Sequence, residues 1–277
     1  MTPALVNGQA SESVPITDRG FEYGDGVFET LAVLHGRPLL WDAHLERLLS
    51  GCRALKFEVL PGAQVLEQEA HRLSTQLDKA VLKIVITRGV GPRGYRVPAN
   101  SVPTRVISVG PWPEGHAEKR SRGVRVKMCR TTLASQPRLA GVKHLNRLEQ
   151  ILARAEWDDE WDEGLMCGDS GMVIEATASN VFAVINGALY TPDLTRCGVA
   201  GVMRDQVIRA ARSLNHEVKI ADFPVDRMFG ANELFLTNSI IGIWPVRAVE
   251  NHAFSVGPLA RSLWRVLNDK PNLVVVD

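Results

Sequence analysis

The sequence Lys143-His144-Leu145-Asn146-Arg147-Leu148-Glu149-Gln150 places a lysine between an apolar, strand-like stretch and a long helical pattern. A lysine is unfavourable at the start of a helix, because the positive end of the helix dipole lies there. Lysine is also scarcer than arginine in this chain. These residues alone leave two interpretations of Lys143 open. It is either an amine that reacts with a carbonyl cofactor or a surface lysine at a helix N-terminus.

The composition of the chain around this segment is ordinary. Of its 277 residues, 45% are hydrophobic and 23% are charged, and the formal net charge is +1. This balance excludes a strongly basic nucleic-acid binder and gives no electrostatic reason for binding to a membrane. No apolar stretch approaches the roughly 20 residues that span a bilayer, and the N-terminus does not read as a signal peptide. We therefore expect a cytoplasmic protein that acts on a small molecule.

The cysteines and histidines do not form a recognisable metal or redox motif. The four cysteines are scattered at Cys52, Cys129, Cys167 and Cys197, without a C-x-x-C pair. The histidines lack the spacing of metal ligands. We expect reduced thiols and no metal.

Strands and helices interleave in both halves of the chain, so the sequence predicts an α/β or α+β fold. The segment Pro111-Trp112-Pro113-Glu114-Gly115 breaks regular structure, which places a boundary between a domain 1–112 and a domain 113–277. The predicted strands are Phe28–Leu34, Arg37–Leu40, Ala80–Thr87, Thr104–Gly110, Val124–Arg130, Val181–Ile185, Ala188–Tyr190 and Glu233–Thr237. The predicted helices are Trp41–Phe57 (capped by Asp42), Gln64–Leu77, His144–Trp161 and Val202–Leu214.

Five other motifs accompany the lysine segment along the chain. They are Asp18-Arg19-Gly20-Phe21-Glu22-Tyr23-Gly24-Asp25-Gly26-Val27-Phe28-Glu29-Thr30, His44-Leu45-Glu46-Arg47-Leu48, Glu175-Ala176-Thr177-Ala178-Ser179-Asn180-Val181-Phe182, Gly201-Val202-Met203-Arg204 and Thr237-Asn238-Ser239. Their order and types resemble the fold-type IV enzymes that depend on pyridoxal 5′-phosphate (PLP). The resemblance implies a smaller N-terminal α/β domain and a larger C-terminal PLP-binding domain with a barrel-like sheet. It also implies a homodimer, with the segment near Phe28–Ala32 facing the partner.

The resemblance implies a role for each matching residue. Lys143 is the lysine that holds PLP and moves protons, as such chemistry requires. Glu175 is the carboxylate that keeps the pyridine nitrogen protonated, and its apolar neighbours argue against a surface position. Arg47 is the phosphate arginine. The remaining phosphate contacts come from the helix start at Val202 and Met203 and from the turn at Ser239 and Ile240.

Within this family, the segments Lys143–Gln150 and Arg88–Tyr95 resemble 4-amino-4-deoxychorismate lyases more than aminotransferases. Phe28 and Tyr95 stand where D-amino acid aminotransferases generally carry tyrosine and histidine. The resemblance therefore implies a PLP-dependent carbon–oxygen lyase that forms 4-aminobenzoate and pyruvate in folate biosynthesis. Its substrate carries two carboxylates, for which Arg93 is the candidate partner, with Tyr95 and Phe28 beside it. A D-amino acid or branched-chain aminotransferase is the alternative, and a non-catalytic relative is a distant third.

Overall fold

The computed structural model describes residues 4–269. Strands and helices are interleaved in both halves of the chain, as predicted. The strands are β1 (Ala4–Val6), β2 (Gln9–Ala10), β3 (Gly26–Leu34), β4 (Arg37–Pro38), β5 (Lys79–Thr87), β6 (Thr104–Pro111), β7 (Val124–Met128), β8 (Glu163–Cys167), β9 (Met172–Ala176), β10 (Asn180–Ile185), β11 (Ala188–Thr191), β12 (Val218–Ile220), β13 (Phe223–Pro224), β14 (Glu233–Asn238), β15 (Gly242–Val249) and β16 (His252–Ala253). The helices are α1 (Arg19–Tyr23), α2 (Trp41–Ala54), α3 (Ala63–Ser74), α4 (His116–Arg122), α5 (Leu148–Arg154), α6 (Val202–Ser213), α7 (Val225–Phe229) and α8 (Pro258–Asn268).

The chain forms two compact units. Among the described residues, the first unit contains residues 4–112 together with Val142–Asn146, and the second contains Pro113–Gly141 and residues 147–269. This division differs from the predicted domains in one respect, because the short segment that carries Lys143 groups with the first unit. The physical reason is strand-like pairing: His144 bridges Val27 in an antiparallel manner.

The first unit is an antiparallel sheet with helices on one face. Its six strands follow the order β2-β1-β6-β5-β3-β4. Alternate residues of the long strands β3, β5 and β6 point to a buried core that includes Leu31, Leu82 and Ile107, and α2 and α3 cover it with Leu48 and Leu66. The opposite face of the sheet is only half buried, as expected for an antiparallel sheet with helices on one side.

The second unit contains a closed six-stranded sheet. The strands pair in the order β10-β14-β15-β7-β8-β9, and Asn180 of β10 then pairs with Glu175 of β9 to close the ring. Val126, Leu165, Val181, Leu236 and Val246 are among the buried residues of its core. The predicted barrel-like sheet is therefore confirmed. Closure matters here because it leaves the central strands without an unpaired edge.

Most of the predicted elements are found with small shifts at their ends. The hairpin of β3 and β4 turns at His35 and Gly36, which both have positive φ, as a two-residue hairpin requires. The hairpin of β10 and β11 turns at Asn186 and Gly187 in the same way.

Two predictions are wrong. The pattern His144–Trp161 forms only the short helix α5, Leu148–Arg154, because residues 142–146 are held along β3 instead. Asp42 is not the cap of α2, since the helix begins after Leu40 and Asp42 lies in its first turn. There its negative charge still favours the positive end of the helix dipole.

Candidate active site

Lys143 lies on the extended segment that runs beside β3. Its carbonyl oxygen accepts a hydrogen bond from the amide of Phe28 at 2.9 Å, and the amide of Leu145 donates to the carbonyl of Gly26 at 3.0 Å. The Nζ atom of Lys143 lies 4.3 Å from the centroid of the Phe28 ring. The backbone of the lysine is thus held by a core strand, and its amine is placed against an aromatic ring. The structure brings two of the predicted residues, Lys143 and Phe28, together.

A buried cluster of Glu29, His44 and Arg47 lies next to this strand. Glu29 and His44 are each 1% exposed. Arg47 donates from Nε to Oε1 of Glu29 at 2.7 Å and from Nη2 to Oε2 at 2.5 Å. His44 Nδ1 lies 2.7 Å from the same Oε2 atom. The guanidinium of Arg47 is therefore oriented by two hydrogen bonds to one carboxylate.

The charges of this cluster are set by its neighbours. Burial acts to raise the pKa of Glu29, but Arg47 and His44 outweigh it, so the net pKa is lowered. Burial lowers the pKa of His44 against the opposing effect of Glu29, and the positive charges of Arg47 and Lys143 lower it further. An ionised Glu29 then faces a neutral imidazole, which donates from Nδ1 and leaves Nε2 as an acceptor.

Glu29 and His44 were not among the predicted site residues. Glu29 alternates with Val27 and Leu31 on the face of β3 that packs into the core. His44 and Arg47 are three residues apart on α2, so they lie on one face of that helix. The sequence did offer a signal for this buried cluster. Glu29 occupies a strand position where an apolar residue is expected, and the following helix presents a histidine and an arginine on one face.

In the second unit, Glu175 is 4% exposed and lies on β9, one of the two strands that close the barrel. Its Oε2 atom accepts a hydrogen bond from the amide of Val199 at 2.8 Å. Asn180 donates from Nδ2 to the carbonyl of Val199 at 2.9 Å. The loop that leads into α6 is thus tied on both sides to the closing strands, and a buried carboxylate of this kind suits the predicted role.

The first turn of α6 offers backbone donors. The first hydrogen bond within the helix runs from the amide of Asp205 to the carbonyl of Gly201, so the amides of Val202 and Met203 lie at the positive end of the helix dipole. A Cβ atom on Gly201 would lie 2.0 Å from Oδ1 of Asn180, which explains why glycine precedes this helix. The geometry fits the binding of a phosphate group.

The turn between β14 and β15 is organised by Asn238. Its Oδ1 atom accepts hydrogen bonds from the amides of Ile240 at 2.8 Å and Ile241 at 2.9 Å. The amide of Ile240 is therefore less available for the predicted phosphate contact, because it already donates a hydrogen bond within the turn. Ser239 lies beside it at the same turn.

The predicted substrate residues Arg93 and Tyr95 lie on an exposed loop. Tyr95 is 87% exposed, and its ring meets the edge of Tyr23 with 5.6 Å between centroids. Gly94, which lies between Arg93 and Tyr95 in the sequence, forms hydrogen bonds through both its amide and its carbonyl group. Its amide donates to the hydroxyl of Tyr23 at 3.0 Å, and its carbonyl accepts from Arg19 at 2.8 Å. The loop is held to α1, whereas the role of Arg93 stays a prediction.

These features define an enzyme of the fold-type IV class. They are an antiparallel sheet covered by helices, a closed six-stranded barrel, a lysine on an extended segment beside β3, and a buried carboxylate beside a helix N-terminus. The chain belongs to the amino-transferase class IV family, to which residues 26–249 match. The family and fold predicted from the motifs are confirmed.

Three comparisons show the range of this similarity. The chain is 37% identical to an aminodeoxychorismate lyase of Vibrio harveyi, over 95% of this chain and 98% of that protein. It is 45% identical to the crystal structure of 4-amino-4-deoxychorismate lyase from Pseudomonas aeruginosa, with a TM-score of 0.93 over 97% of this chain and 99% of that chain. A branched-chain amino acid aminotransferase of Escherichia coli shares the fold at 23% identity, with a TM-score of 0.86 over 96% and 93% of the two chains.

Within residues 4–269, no helix has the length and apolar character that crossing a membrane requires.

Proposed function

We propose that this protein is a PLP-dependent 4-amino-4-deoxychorismate lyase that releases 4-aminobenzoate and pyruvate, a reaction of folate biosynthesis. The observation that carries the proposal is similarity to two proteins named as this lyase, at 37% and 45% identity over nearly the whole chain. The fixed position of Lys143 beside Phe28 supports it, because the reaction needs a lysine amine at a defined place.

The residues described above fit PLP. In the proposal, Lys143 holds the cofactor and Glu175 faces its pyridine nitrogen. Arg47 and the amides of Val202 and Met203 receive the phosphate, with Ser239 and Ile240 at the side. When bound, PLP supplies an electron sink for the electrons released at the carbon that bears the substrate amine.

Lys143 is the proposed acid and base. Its amine takes the proton from C4 of the substrate and later returns a proton to the departing enolpyruvyl group, which leaves as pyruvate. The bonds between Lys143, Leu145 and β3 fix the backbone from which the side chain acts. The neutral His44 nearby does not add a positive charge beside the amine.

The substrate carries two carboxylates. We assign one of them to Arg93, with Tyr95 and Phe28 as neighbours. The exposed position of Arg93 supports a residue that meets substrate at the entrance of a site, and the bonds to Gly94 limit the freedom of the loop.

A homodimer and a cytoplasmic location belong to the same proposal. The half-buried sheet face of the first unit, with Phe28, Thr30, Val85 and Val106, is the surface that we assign to the partner subunit. Burial of such a face is favourable because it removes apolar area from water. The cytoplasmic location rests on the sequence alone.

An aminotransferase is the second candidate, since a putative branched-chain-amino-acid aminotransferase of Methanocaldococcus jannaschii is 29% identical over 92% of this chain. The two functions differ in what they need. A lyase forms 4-aminobenzoate and pyruvate from aminodeoxychorismate alone, whereas an aminotransferase requires a 2-oxo acid as amino acceptor.

The test is an incubation of the purified protein with PLP and aminodeoxychorismate, in which both products are measured. We expect equal amounts of 4-aminobenzoate and pyruvate without an added 2-oxo acid. A strict requirement for a 2-oxo acid would refute the lyase. Protein that stays colourless after addition of PLP would refute both enzymes and favour a non-catalytic relative.

A further inference from the structure

A second buried glutamate of the barrel, Glu163 on β8, lies outside the residues considered so far. It is 7% exposed, and four donors converge on its carboxylate. Oε1 accepts from the hydroxyl of Thr177 and from the amide of Gly164. Oε2 accepts from the amide of Ala178 at 3.2 Å and the hydroxyl of Ser179 at 3.3 Å. Both carboxylate oxygens thus tie residues 177–179 to β8.

Residues 177–179 form the turn between β9 and β10. Glu175 stands just before this turn, and Asn180 follows it as the partner of Glu175 in the barrel closure. The turn itself is closed by a hydrogen bond from the amide of Ala176 to the carbonyl of Ser179 at 2.7 Å. Any shift of the turn would therefore move Glu175 and also Asn180, which holds the loop before α6.

The same turn supports the turn between β14 and β15. The carbonyl of Ala178 accepts a hydrogen bond from Nδ2 of Asn238 at 2.9 Å. The other end of that amide, Oδ1, receives the amides of Ile240 and Ile241. A continuous path of hydrogen bonds therefore runs from Glu163 through residue 178 and Asn238 to the turn that carries Ser239.

Burial of Glu163 disfavours the ionised form of its carboxyl group. Burial raises its pKa, and the four donors offset that effect only in part. An apolar residue of similar size would avoid the cost of burying a carboxylate, but it would leave the buried donors of Gly164 and residues 177–179 without this acceptor. The carboxylate is thus a common acceptor that fixes the turn of residues 177–179 and, through Ala178, the turn between β14 and β15.

We propose that Glu163 is a positioning residue for the cofactor. By fixing residues 177–179, it sets Glu175 and the Ser239–Ile240 turn in place together. The inference rests on the proposed function only in requiring that the protein binds PLP. Supporting residues of this kind act by locking the geometry of the groups that touch the ligand.

The experiment compares holoenzymes of Glu163→Ala, Glu163→Gln and the control Glu233→Ala. Glu233 is a matched control because it is also buried, on β14, and its carboxylate receives the amides of Leu259 and Ala260 at the start of α8, both at 3.1 Å. PLP release is followed on dilution through the visible absorbance of lysine-bound PLP, at a temperature where each variant is folded.

We expect Glu163→Ala to raise the PLP dissociation constant at least about tenfold, the size of effect known for residues that orient direct ligands of a bound group. Glu163→Gln keeps one acceptor oxygen, for Thr177 and Gly164, but loses the acceptor for the amide of Ala178, so it should recover part of the affinity. Glu233→Ala should lower the melting temperature without changing the dissociation constant. Equal constants for Glu163→Ala and Glu233→Ala, or for the Ala and Gln variants of Glu163, would overturn the proposal.

Asn238→Ala tests the link from Ala178 to the turn between β14 and β15. It also provides a test of the proposal if Glu163→Ala does not fold. It should weaken binding of PLP but not of pyridoxal, which lacks the phosphate, whereas Glu163→Ala should weaken both. Unchanged PLP affinity in Asn238→Ala would contradict the path. These measurements need no substrate, so a protein that binds PLP but forms no pyruvate would refute the lyase and leave this inference intact.

Discussion

A buried strand glutamate from each unit, Glu29 of β3 and Glu163 of β8, can be compared, because the two carboxylates are held in different ways. Glu29 in the first unit receives a guanidinium and an imidazole, from Arg47 and His44. Glu163 in the second unit receives two hydroxyls and two backbone amides. Both carboxylates are well supplied with hydrogen bonds, so the difference between them lies in the charge of the donors.

Because of that difference, the pKa values of the two carboxyl groups shift in opposite directions. Burial raises the pKa of both groups, but the pKa of Glu29 is lowered overall because a cation faces it. The pKa of Glu163 is raised overall, since neutral donors do not offset its burial. The comparison teaches that a full set of hydrogen bonds is not equivalent to a counter-charge inside a protein.

The largest expected effect is that of removing the proposed catalytic lysine while the buried glutamates keep their hydrogen bonds. Lys143→Ala should lower turnover of aminodeoxychorismate by about 10²–10⁴-fold, the usual contribution of a positioned acid and base. The Glu29 cluster should survive, and the pKa of His44, followed by NMR, should rise because the charge of Lys143 no longer lowers it. Normal turnover in this variant would remove Lys143 from the mechanism.

The next effect is on stability. Arg47→Ala leaves Glu29 buried without its guanidinium partner, and we expect the free energy of unfolding to fall by about 3–5 kcal/mol. The double variant Glu29→Gln with Arg47→Ala should recover part of this loss, because the uncompensated charge is gone. Urea unfolding of the three proteins measures it. If Arg47→Ala were as stable as the parent protein, the burial of ionised Glu29 would not depend on Arg47.

The smallest effect is the pH dependence of unfolding, which should have opposite signs for the two glutamates. The folded pKa of Glu29 is lowered, so its contribution is complete above its unfolded value of 4.5 and is lost as pH falls through the folded value. The folded pKa of Glu163 is raised, so its unfavourable contribution is present at high pH and disappears as pH falls toward 4.5.

Stability curves of Glu29→Gln and Glu163→Gln against pH separate these contributions. The first variant should lose part of the acid-induced destabilisation below pH 4.5, and the second should change the curve only above that value. Changes on the same side of pH 4.5 would mean that the two environments do not differ as described.

Much of the fold was predictable because its signals are local. The hairpin at His35 and Gly36 follows from turn residues, and α2, α3 and α6 follow from apolar spacing. The helix predicted from His144 was too long for a non-local reason. The pairing of residues 142–146 with β3 joins segments more than a hundred residues apart, and periodicity within one segment does not report it.

The sequence by itself determined the family and singled out Lys143, Glu175 and Arg47. The reason is that cofactor chemistry permits few residue types at each position, so the chain carries a recognisable series of motifs in a fixed order. Only the tertiary structure decided the barrel closure between Glu175 and Asn180, the pairing of Glu29 with Arg47 and His44 and the support from Glu163. These features depend on which distant strands meet. Burial and charge then act through distances in space, which the order of residues does not contain.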